Sequence, residues 1–125
     1  MRRVRRFSLV LMLLAAGCAG DEPLQRPSPL FTSSPFQYPV ELWDRGIEGE
    51  TVLLIHITAM GVVDSATVYR SSGYPQFDSV AVAGAYQLRF TPGRRGDKRV
   101  RTWARLPVRF TKDGGAAAGA METVQ

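Results

Sequence analysis

Few side chains in this 125-residue chain are suited to covalent chemistry: it holds one cysteine, Cys18, and one histidine, His56. One cysteine allows neither an internal disulfide nor a cysteine-based metal site. His56 sits inside an apolar run with no serine or cysteine nearby to act as nucleophile, which favours a structural or surface histidine over a base. Asp64 and Asp78 stand singly, at turn and cap positions. Arg94, Arg95, Lys98 and Arg99 form a cationic loop, solvated by default and placed to meet lipid head groups if a membrane is near. Gly-rich phosphate loops and metal-ligand spacings are absent from the sequence. The expectation is a binding protein with no catalytic residues, no metal and no cofactor.

The N-terminus sets where such binding takes place. Arg2, Arg3, Arg5 and Arg6 precede the apolar run Phe7–Leu14, and Ala15-Ala16-Gly17 leads into Cys18. This is the layout of a secretory signal. The run from Phe7 to Gly17 is 11 residues, short of the ~20 that cross a bilayer as a helix. Leu14-Ala15-Ala16-Gly17-Cys18 resembles a bacterial lipobox, with Ala15 where Leu is common three before the cysteine. The resemblance implies cleavage after residue 17 and acylation of Cys18, with several chains at ~0.8 kcal/mol per CH₂ holding the protein durably. Ala19 after the cysteine, rather than Asp, favours the outer over the inner membrane by the same resemblance. The formal charge of +5 falls to +1 without residues 1–17, so the basic balance is a targeting feature and nucleic acid is not an expected partner.

Residues 18–35 are polar and Pro/Ser-rich and read as a disordered tether. From Cys18 to Tyr38 its reach is at most ~66 Å. The folded part is expected over 36–110. Thr51–Thr58 is β-branched and aliphatic with apolar residues on both faces, as in a central strand. Pro39 opens one or two helical turns in which Val40, Trp43 and Ile47 recur. Val62–Arg70 is a second strand whose phase changes between Asp64 and Ser65, the mark of a β-bulge. A helix from about Phe77 to Leu88 carries Gly84 in its middle, explained by close approach to the sheet. Phe90–Arg99 reads as a loop. The last strand, Val100–Phe110, alternates Thr102, Ala104, Leu106, Val108 and Phe110 with Arg101, Trp103, Arg105, Pro107 and Arg109. Pro107 cannot donate to a ladder, so one side of this strand is expected to be free. Residues 111–125 read as a disordered tail.

Tyr38-Pro39, Gly46-Ile47-Glu48-Gly49, Gly61-Val62-Val63, Arg70-Ser71-Ser72-Gly73-Tyr74-Pro75 with Phe77-Asp78, Leu88-Arg89-Phe90-Thr91-Pro92 and Leu106-Pro107-Val108-Arg109-Phe110 together resemble the C-terminal domain of the TonB family. Met60 replaces the usual Asp before the hairpin glycine, and Leu88 stands where Trp is frequent. The resemblance implies an α+β fold over 36–110, a three-stranded antiparallel sheet with one long helix and a short N-terminal helix in the order αββαβ. It also implies binding without catalysis, by adding a segment of an outer-membrane transporter as a strand beside the last strand. By matching position the partner-binding residues are Arg101, Trp103, Arg105, Pro107 and Arg109.

The expected function is a lipid-anchored, periplasm-facing module of the cell envelope that engages a transporter segment or another envelope protein by strand addition. One alternative is an energy transducer whose residues 1–17 stay uncleaved in the membrane. Another is a structural envelope lipoprotein that binds cell wall or an assembly partner. An exposed edge also permits a homodimer through the sheet.

Overall fold

The structure is a computed structural model that describes residues 22–31 and 33–124. The lipobox and Cys18 lie outside the described residues. In chain order the elements are β1 (Leu24–Gln25), β2 (Ser28–Pro29), α1 (Val40–Asp44), β3 (Gly49–Ile57), β4 (Val63–Arg70), α2 (Pro75–Ala85), β5 (Phe90–Thr91), β6 (Gly93–Arg95), β7 (Lys98–Val100), β8 (Thr102–Thr111), β9 (Gly115–Ala118) and β10 (Glu122–Val124).

β3 is central, as its two apolar faces required. It pairs antiparallel with β8 from Gly49↔Phe110 to Ile57↔Thr102 and with β4 on its other side. Leu53, Ile55 and Ile57 of β3 and Ala104, Leu106, Val108 and Phe110 of β8 point to one face. There they meet Phe77, Ala81 and Ala85 of α2, and all ten are buried. Phe77 stacks on Phe110 with ring centroids 4.2 Å apart. In β4 the register slips between Ser65 and Val63, leaving Asp64 as the extra residue, and slips again at Tyr69. The first is the bulge that the change of phase indicates, and the second had no signal in the pattern.

The expected three-stranded sheet with one long helix is not what forms. The main sheet has five strands, in the order β10-β8-β3-β4 with β9 also on β8, and two smaller sheets, β1-β6-β7 and β2-β5, lie beside it. The cause is the accounting of backbone hydrogen bonds. A strand left without a neighbour holds unpaired N–H and C=O groups, and here the flanking residues supply partners. Residues 115–118 and 122–124, expected as loose tail, pair with β8. Residues 24–25 and 28–29, expected as free tether, pair with β6 and β5, and Leu30 donates its N–H to the Arg89 carbonyl at 2.8 Å. The segment after Phe90, expected as loop, is the β6–β7 hairpin.

Two local expectations also shift. In α1 the buried residue is Leu42, while Val40 is 70% exposed. Gly84 does not meet the sheet; a Cβ there would lie 2.4 Å from Cδ1 of Phe36, so the N-terminal segment is what crosses the helix. Asp78 does more than face the helix dipole. It accepts hydrogen bonds from Thr51 Oγ1 at 2.7 Å, Ser72 N–H at 2.9 Å, Ser72 Oγ at 2.8 Å and the Ser71 hydroxyl. Burial alone pushes the Asp78 carboxyl up, but these donors outweigh it and hold the carboxyl below its ordinary 3.8.

Candidate functional site: the outer edge of the last strand

The five residues expected to bind a partner form a row along β8 and its approach. Trp103, Arg105, Pro107 and Arg109 project to the sheet face opposite α2, since the alternate positions Thr102, Ala104, Leu106, Val108 and Phe110 are buried. Arg101 precedes the strand and is exposed.

The row is not a set of free cations. Arg109 Nε lies 2.7 Å from Glu50 Oε2, and Arg70 Nη2 lies 3.5 Å from the other oxygen of the same carboxylate. The Arg105 guanidinium stands 5.4 Å from the Tyr69 ring centroid, with its Nη2 3.0 Å from Glu122 of the tail. Trp103 is 44% exposed and packs against His56 at 4.7 Å between ring centroids. His56 Nδ1 in turn lies 2.6 Å from Asp64 Oδ1. The bulge at Asp64 is what swings that carboxylate to the histidine. Beyond this pair, Arg99 and Arg101 border an open hollow of about 590 Å³ with Thr58 and Val100.

The outer edge of β8 is covered by the chain's own tail. β9 pairs from Val108↔Ala118 to Thr111↔Gly115, and β10 pairs Arg105, Ala104 and Trp103 with Glu122, Thr123 and Val124. Between them Gly119, Ala120 and Met121 span the two positions Leu106 and Pro107, one residue more than a regular ladder needs. The free side expected from Pro107 is therefore not found. Pro107 does face the outer edge, where its carbonyl accepts the Gly119 N–H at 2.7 Å. The edge is not free, however, and the missing N–H shows as the break between β9 and β10.

The opposite edge of the sheet, β4, presents a different surface. It is bulged at Asp64 and Tyr69, and the N–H of Ala66 donates to the Tyr86 hydroxyl at 3.2 Å. Bulges and a capped donor are poor templates for another strand. Sequence reasoning missed Glu50, Tyr69, Glu122 and Val124 as neighbours of the row. Only Thr123 and Val124, both good strand formers, signalled a strand in the tail.

Comparison with known proteins agrees with this architecture. The family described as Gram-negative bacterial TonB protein C-terminal matches residues 34–111. The Pseudomonas aeruginosa protein named tonB2 is 34% identical over 87 residues, 70% of this chain and 30% of that protein. The chain thus spans under a third of the length of that curated relative. The solution NMR structure of the Pseudomonas aeruginosa TonB CTD superposes with a TM-score of 0.57 at 30% identity, covering 74% of this chain and 90% of that one. With β3, β4, α2 and β8 all inside the matched stretch, the chain belongs to the TonB C-terminal family.

Proposed function

We propose that this chain is a lipid-anchored, periplasm-facing binding module that engages an extended segment of an outer-membrane transporter by adding it as a strand along β8. The family match and the relative named tonB2 support a role in outer-membrane transport. Arg101, Trp103, Arg105, Pro107 and Arg109 flank the added strand, and Cys18 carries the anchor. Binding through main-chain hydrogen bonds needs an edge that accepts a strand, and side chains on alternate positions add selectivity.

The observation that carries this reading is the pairing of β9 and β10 with β8. The edge accepts short antiparallel strands, and its occupant is weak. β9 is Gly115-Ala116-Ala117-Ala118, four residues with almost no side chain to bury, and β10 has three. A partner segment with larger apolar residues at alternate positions buries more area on the same ladder and replaces the tail. Attachment is assigned to acylated Cys18 on the lipobox resemblance of residues 14–18.

The test is site-specific photo-cross-linking in cells, with a photoreactive amino acid at Trp103 and, as a comparison, at Val68, exposed on β4 beside α2. Cross-links from position 103 to the periplasmic segment of an outer-membrane transporter are expected, with few from position 68. Cross-links from 68 alone, or only to cell-wall or assembly proteins, would replace this reading with that of a structural envelope lipoprotein.

A further inference from the structure

The β6–β7 hairpin places like charges directly opposite one another. Arg94 pairs with Arg99 and Arg95 with Lys98, around the Gly96-Asp97 turn. Like charges on facing strand positions destabilise a hairpin, and among the described residues none of these four is in an ion pair. Arg101 adds a further exposed cation at the start of β8. Asp97 in the turn and Glu22, whose carboxylate lies over Gly96, offset two of these five cations and leave the hairpin net positive.

Two further observations say which surface. The first is the docked tether. β1 pairs with β6 through Leu24↔Arg95 and Gln25↔Arg94. From Cys18 to Leu24 is six residues, at most ~20 Å of extended chain, against the ~66 Å expected of a free tether. The hairpin is thereby the part of the domain held nearest the anchor. The second is the distribution of charge along the sheet. The hairpin lies at the end where Ile57 pairs with Thr102. Around the other end, where Gly49 pairs with Phe110, Glu41, Asp44, Glu48 and Asp113 outnumber Arg45 and Lys112 and leave it net negative. Nine residues of β3 separate the two ends by ~30 Å.

We propose that the β6–β7 hairpin docks on the anionic phospholipid head groups of the membrane that holds Cys18, setting the domain upright with α1 pointing away. This rests on the lipid anchor proposed above. Phospholipid is the committed partner because the short span from Cys18 brings the cations to head-group phosphates, whose attraction for basic residues is additive and salt-sensitive.

The experiment uses the full chain, purified from membranes and reconstituted into vesicles. With Cys18 acylated, Asp97→Cys provides a single thiol for an environment-sensitive dye at the hairpin turn. Intact mass of the same preparation reports the acyl groups, so loss of the anchor is recognised separately from loss of docking. Vesicles with anionic phospholipid should shift the dye to a membrane-like signal that salt reverses, and purely zwitterionic vesicles should not. At the salt concentration where half the unmodified hairpins are docked, Arg95→Gln should lower the docked-to-free ratio about fivefold. Arg45→Gln, an equal change of charge at the α1 end, should leave it unchanged. Acylated protein whose dye ignores lipid charge overturns the proposal, as does an equal effect of Arg45→Gln. A shift produced by inorganic phosphate in detergent without vesicles overturns it in favour of a soluble anion site.

Discussion

Gly119 donates its N–H to the carbonyl of Pro107 at 2.7 Å, at the one place on β8 where no N–H can be returned. This lone bond joins two short strands that each pair properly, β9 ahead of it and β10 behind. It makes the tail a discontinuous occupant of the edge. Under the proposed function, the row from Arg101 to Arg109 and the tail paired along the edge of β8 act as one device, and a partner's apparent affinity is its intrinsic affinity reduced by the fraction of time the edge is open.

Weakening the tail should strengthen partner binding. Ala117 lies opposite Arg109 within β9, and proline there removes a strand N–H. Ala117→Pro is expected to raise apparent affinity for a β8-directed segment by on the order of tenfold, the equivalent of ~1.4 kcal/mol of lost tail pairing. Calorimetric titration checks it. The melting temperature should fall by several degrees, because Ala116, Ala118 and Met121 cover part of the core.

Asp78 links the start of α2 to β3 through Thr51 and to the preceding turn through Ser71 and Ser72. Asp78→Asn should cost about 2–3 kcal/mol in urea unfolding at neutral pH. The sign of its pH dependence follows from the lowered carboxyl. A folded-state value below the unfolded one gives stability that is present above the unfolded value and lost as pH falls through the folded one. The gap between native and variant proteins should accordingly be constant near neutrality and shrink in the range below about pH 4.

Gly84 faces Phe36 so closely that an added Cβ would fall 2.4 Å from the ring. Gly84→Ala gains helix propensity of about 1 kcal/mol but forces Phe36 out of its buried seat. A net loss of about 1–3 kcal/mol is expected, and Phe36→Leu in the same chain should recover part of it. Thermal melts of the two single variants and the double variant decide this.

The strands with strong side-chain alternation were legible in the sequence, and those held by backbone pairing alone were not. β3 and β8 announce their buried faces through Leu53, Ile55, Ala104 and Leu106, because half-burial selects residues two apart. The same alternation put Arg101, Trp103, Arg105, Pro107 and Arg109 on one face, while their partner-binding role came only from the family resemblance. β1, β2 and β9 carry no such signal. Leu24-Gln25 and Ser28-Pro29 are too short to show a period, and Ala116-Ala117-Ala118 has no strand preference of its own. Their conformation is imposed by the edges they meet. Gly84 was readable as a close approach, but which segment approaches is a long-range matter that one sequence does not encode locally. The strand paired beside Trp103 and Arg105 had little local signal, because Glu122 and Val124 matter only through register with them.

The central claim is that a partner strand takes the place of β9 and β10 on β8, and amide hydrogen exchange resolved by segment tests it most directly. On adding a peptide of the transporter segment identified by cross-linking, residues 115–124 should lose protection while residues 102–111 keep or gain it. Protection retained in the tail, with new protection in residues 63–70 of β4, would contradict the account and place the docking edge on the other side of the sheet.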